Sequence, residues 1–135
     1  MRIGFRAAVL AMMVALPLVA HSQTAATPAP AVKRTILQRA DVPGTALELT
    51  YASVEIPAGF KAGRHLHPGL VMAQVVEGEF WVVFDGQQER VLKAGESLTL
   101  SAQAIHNEGA TSSGPVRLIV VYVIEKGKPL ALPAP

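Results

Sequence analysis

His65 and His67 form the pattern His-x-His, and His106 is the third histidine beyond the extreme N-terminus. Side chains on a β-strand alternate between faces, so residues two apart project the same way. Two neutral imidazoles on one face can bind a single metal ion, and a third from a distant strand completes one side of its coordination sphere. A nitrogen-only set suits Zn, Cu, Fe or Ni, whereas hard ions such as Mg and Ca find no oxygen ligands in it. An ion held this way keeps open positions, where it can polarise a substrate oxygen or activate water.

Such a site needs strands to position it, and the sequence supplies them. Runs rich in β-branched and aromatic residues fall at 35–39, 47–56, 70–76, 80–84, 90–92, 97–100 and 116–125. Pro43-Gly44, Pro57-Ala58-Gly59, Glu77-Gly78, Asp85-Gly86, Ala94-Gly95 and Ser113-Gly114-Pro115 separate them as turns. No segment has a convincing helical period, and many short strands with even turn spacing predict an all-β sandwich or barrel. Phe80, Trp81 and Phe84 lie on one apolar strand and are expected to pack the core or a subunit interface. Tyr122 and Arg117 have opposite parity on the last long strand, so at most one points inward.

Composition bounds the setting. Arg2 and Arg6, the apolar run from Ala7 to Ala20 and the small-x-small triplet Ala20-His21-Ser22 read as a cleavable export signal at 1–22. Residues 23–32 read as a flexible linker, 33–129 as one domain and 130–135 as a flexible tail. Cleavage removes two arginines and no acid, so Lys plus Arg falls from 12 to 10 against 10 Asp plus Glu. The mature chain is then close to neutral, without a basic cluster, which argues against nucleic acid as a partner. The expected location is periplasmic or secreted, with no membrane association after cleavage. The chain has no cysteine, so neither a disulfide nor a thiolate ligand contributes. No nucleophile elbow, phosphate loop or dinucleotide fingerprint is present.

The stretch from Gly59 through His65 and His67 to Gly78 resembles the first signature of the cupin superfamily: glycine, five residues, His-x-His, a short gap, glutamate, six residues, glycine. The stretch from Gly95 through His106 to Ala110 resembles the second, and 34–44 and 120–130 also look like small single-domain bacterial cupins. The resemblance implies a double-stranded β-helix, a jelly-roll barrel, whose histidines hold a metal. This chain departs from the pattern at Val71, which stands at the place of the metal-binding glutamate; a longer gap would put Met72 there. Ser101 and Gln103 replace a proline and a glycine, and Ala110 replaces an asparagine. The family's four-ligand site is thereby reduced to His65, His67 and His106. Among substitutes for the missing carboxylate, Gln74 faces the wrong way on a regular strand and Glu77 and Glu79 flank a turn. Glu108 shares the face of His106 only on a strand, and Asn107-Glu108-Gly109 reads as a loop.

The resulting expectation is an exported cupin, a homodimer, that binds a divalent transition metal (Fe, Zn, Mn, Ni or Cu) and a small-molecule substrate. Metal-dependent oxidation of the dioxygenase type is the expected chemistry, ahead of isomerisation or hydrolysis. The alternative is a non-catalytic module binding a small ligand or a metal. A polar, substrate-sized cavity opening onto the histidines favours the former, and a closed apolar lining the latter.

Overall fold

The computed structural model describes residues 31–135, so the expected signal at 1–22 and most of the 23–32 linker lie outside the described residues. Ten strands follow in chain order: β1 (Lys33–Asp41), β2 (Leu47–Ile56), β3 (His65–Leu66), β4 (Leu70–Glu77), β5 (Glu79–Phe84), β6 (Arg90–Lys93), β7 (Ser97–Leu100), β8 (His106–Ala110), β9 (Val116–Glu125) and β10 (Leu132–Pro133). They form two five-stranded sheets of order β1-β2-β9-β4-β7 and β10-β3-β8-β5-β6. Every pairing is antiparallel. The described residues are thus all-β, as expected.

Period-two alternation decides which side chains meet. Ala52, Val54 and Ile56 of β2, Val71, Ala73 and Val75 of β4, and Leu118, Val120, Tyr122 and Ile124 of β9 point inward. They join Phe80, Val82, Leu92 and Ala110 of the second sheet in one buried cluster. Burying each large aliphatic or aromatic side chain contributes about 1.5–3 kcal/mol, and without a disulfide this cluster is the main source of stability. At the sheet edge, β1 is exposed throughout, and Lys33–Glu55 and Arg39–Glu48 ion pairs tie it to β2 at 3.1 and 3.3 Å. Charged edge positions of this kind discourage uncontrolled strand addition.

Two readings of the sequence are corrected by the structure, and both corrections reshape the site. The segment His106–Ala110, read as a loop at Asn107-Glu108-Gly109, is strand β8, paired with β5 from Phe80↔Ala110 to Phe84↔His106. A glycine inside a strand often marks a close backbone approach. Here a Cβ on Gly109 would stand 1.9 Å from the Phe60 carbonyl oxygen and 2.9 Å from the Trp81 ring. Its absence lets 59–62 run alongside β8, with Ala62 N donating to Glu108 O at 2.9 Å and Gly59 N to Thr111 O at 3.0 Å. The second correction concerns 130–135. Instead of a flexible tail, Leu132–Pro133 forms β10 against β3, and Leu130 packs on the core. Composition missed it because two backbone pairs and one carbonyl contact, not an apolar pattern, hold the segment in place.

Candidate metal centre

β3 and β8 lie side by side in the second sheet, with His65 directly opposite His106. His67 follows the end of β3 and points into the same space, so the ligating atoms of His65, His67 and His106 all lie within 4.8 Å of one another. Their ring centroids are 4.3 to 5.2 Å apart. His67 and His106 are buried at 4% and 0% exposure, which ordinary surface histidines are not.

The hydrogen bonds fix which nitrogen of each ring is free. Nδ1 of His65 lies 2.9 Å from Gly63 O, Nδ1 of His67 lies 2.6 Å from Leu130 O, and Nδ1 of His106 lies 2.9 Å from Ala104 O. A carbonyl only accepts, so each Nδ1 carries the proton, and in the neutral ring each Nε2 presents a lone pair. Outer partners of this type orient metal-binding histidines and fix their tautomer. His106 Nε2 is buried without any hydrogen-bond partner. An orphaned acceptor facing two more free imidazole nitrogens fits a metal ion and is costly without a cation.

Electrostatics differ among the three rings. Burial pushes His67 below the ordinary histidine range, and the Leu130 carbonyl only partly offsets it. For His106 burial also pulls downward, but the Glu108 carboxylate and the Ala104 carbonyl outweigh it and hold the ring above the ordinary value. Burial would raise Glu108, yet the adjacent imidazoles, His106 foremost, hold its carboxyl below the usual range.

His65 and His67 line a cavity of about 410 Å³, within the range of small-molecule sites. Val54, Ile56, Val71, Phe80, Leu118 and Val120 give it apolar walls; His65, His67, Glu108, Arg34 and Tyr122 supply polar groups. Tyr122, whose hydroxyl burial raises, accepts a hydrogen bond from Arg34 Nε at 3.2 Å. Arg117, of opposite parity, pairs outside with Glu77. Arg64 is half-exposed and pairs with Asp85, and it also borders the cavity.

The carboxylate question resolves by position. Val71 is buried on the cavity wall while Met72 is 51% exposed on the outer face, so the shorter gap gives the correct register. Gln74 faces outward, Glu77 pairs with Arg117, and Glu79 sits near Thr111 and Lys93. Among the described residues Glu108 is the carboxylate that reaches the histidines, and the strand character of β8 is what the sequence reading lacked. Its spacing of two from His106 was the available signal, with Gly109 as the clue that a strand passes close to another backbone.

The cupin domain profile matches residues 52–122, more than half of the chain, and the chain belongs to the cupin superfamily. Among solved structures, a cupin-like protein from Thermotoga maritima is similar at TM-score 0.64 and 21% identity, over 76% of this chain and 75% of that one. A DMSP lyase from Ruegeria pomeroyi is similar at TM-score 0.57 and 21% identity, over 64% of this chain and 43% of that one. A recombinant oxalate oxidase in complex with glycolate is similar at TM-score 0.53 and 19% identity, over 63% and 45%. No curated protein sequence matches the chain. At these identities the structural neighbours establish the double-stranded β-helix fold.

Proposed function

We propose that this protein is an exported cupin that holds a divalent transition metal (Fe, Zn, Mn, Ni or Cu) on His65, His67 and His106 and acts on a small organic substrate in the adjoining cavity. Dioxygenase-like oxidation is the preferred chemistry, with lyase, isomerase or hydrolase activity behind it. The observation that carries the reading is the convergence of three Nε2 lone pairs, each ring tied at Nδ1 to a backbone carbonyl. A bound ion would supply Lewis acidity and, for iron or copper, redox chemistry. The chain's own residues orient the imidazoles, line the cavity with the apolar side chains of Val71, Phe80 and Leu118, and offer Tyr122 and Arg34 as polar contacts for a substrate. A substrate-sized cavity with polar groups beside the histidines favours turnover over a non-catalytic role. Oxygen uptake by iron-loaded protein across a panel of small organic acids, alcohols and thiols tests this. Substrate-dependent uptake supports oxidation, and tight binding of a panel member without consumption supports the binding-module reading.

Because only neutral imidazole coordinates, protons compete with the metal. His106, held above the ordinary histidine value of ~6.5, takes up a proton before His67, which burial pushes below it. Metal affinity should therefore fall by more than about 10-fold between about pH 7.5 and 5.5 in titration calorimetry. An affinity constant over that interval would contradict ligation by His106.

A homodimer is part of the proposal. On the outer face of the first sheet, Leu49, Val123 and Leu70 form one cross-strand row, and Tyr51, Val121 and Met72 the next. An apolar sheet face of this kind is a common dimer surface. Sedimentation equilibrium should give twice the mature chain mass, and a single-chain mass at micromolar concentration would count against it. Export predicts a mature N-terminus at Gln23, readable by intact mass of periplasmic or secreted protein. Among the described residues no helix is long and apolar enough to cross a membrane.

A further inference from the structure

We propose that Glu108 is a fourth ligand of the metal, so that the site's carboxylate has moved from the β4 position now held by Val71 to β8, two residues beyond His106. This rests on the metal-binding reading above. Glu108 Oε1 lies 3.7 Å from His65 Nε2, and Oε2 lies 3.6 Å from His106 Nε2. One carboxylate thus spans two of the three imidazoles. Both separations exceed hydrogen-bond length. Both also fall below the roughly 4.2 Å that two ligands at ~2.1 Å from an ion can span, so a shared ion fits between each pair.

The arrangement is acceptor against acceptor. With Nδ1 protonated on each ring, Nε2 of His65 and His106 present lone pairs to a carboxylate that is itself acceptor-only. These atoms repel one another unless a cation lies among them. The Glu108 side chain is 20% exposed, and among the described residues no lysine or arginine pairs with it. A carboxylate so enclosed is costly unless a positive charge compensates it. It is also the only carboxylate lining the cavity among the described residues, since Val71 closes the opposite wall. Alternation on β8 places Glu108 on the same face as His106, and the missing Cβ of Gly109 lets 59–62 pass close beside that strand.

The competing arrangement is a proton shared by His106 and Glu108, with the metal held by three histidines alone. Titration of Co²⁺ and Zn²⁺ into metal-free mature protein separates the two, comparing wild type with Glu108→Gln, Glu108→Asp and Val71→Glu/Glu108→Gln. Glu108→Gln preserves shape and should weaken binding at least about 10-fold, with shifted Co²⁺ absorption bands. Glu108→Asp keeps the charge on a shorter arm and should also shift the bands, which covers a glutamine variant that does not fold. Val71→Glu in the Glu108→Gln background should recover part of the affinity. Wild-type affinity and an unchanged Co²⁺ spectrum in Glu108→Gln would overturn the assignment while leaving the three-histidine site intact. Wild-type protein that binds neither ion would overturn the metal reading itself, and this inference with it.

Discussion

His106→Ala is expected to weaken metal binding by more than about 100-fold, beyond the 10–100-fold that loss of an outer partner costs. His106 is the most enclosed of the three rings, at 0% exposure, and its Nε2 has no other partner to satisfy. The loss should appear in stability as well as in titration. An ion present at 1,000 times its Kd stabilises a native protein by about 4 kcal/mol, and that increment should disappear in the variant. Without metal the variant should differ modestly from wild type, because removing a ring with an orphaned nitrogen also removes an unsatisfied buried group. Thermal unfolding with and without added Zn²⁺ reads both effects. A metal-induced rise in Tm equal to that of wild type would place the ion elsewhere.

Gly109→Val is expected to destabilise the fold by at least about 3 kcal/mol, at or above the usual upper range for overpacking. The cause is backbone against side chain, since a Cβ at this position would stand 1.9 Å from the Phe60 carbonyl oxygen. No rotamer change removes that contact. Relief requires moving 59–62 away from β8, which breaks the Ala62 N to Glu108 O bond and unseats Trp81, whose Nε1 donates to Ala110 O at 3.3 Å. Because Glu108 and His106 share that strand, metal affinity should fall with stability. Denaturant unfolding at constant slope measures the first effect. A change under about 0.5 kcal/mol would mean that the segment shifts freely and that Gly109 does not set the position of β8.

How far the sequence could be read depended on what kind of interaction held each element. The long strands β2, β4 and β9 announce themselves by alternation, and Val71, Ala73 and Val75 facing inward follow from it. His65, His67 and His106 were legible because ligand spacing on strands is a local property, and the structure brings them together. The short elements were less legible. β3 has only two residues, while β8 carries Asn, Glu and Gly and β10 includes a proline, so length hides the first and propensity speaks against the other two. They exist because neighbouring backbones offer partners, which a one-dimensional pattern does not encode. The role of Glu108 was lost with β8, since its parity matters only once the segment is extended. The part played by Leu130 was hidden for a related reason: its carbonyl, not its side chain, holds His67.

The most direct test of a metal site on His65, His67 and His106 is elemental analysis of mature protein, exported and purified without tag or chelator, beside His65→Ala/His67→Ala. Near-stoichiometric Fe, Zn, Mn, Ni or Cu in the wild type that vanishes from the folded double variant is the expected result. Wild-type protein that is metal-free and takes up none of these ions when they are added would contradict it.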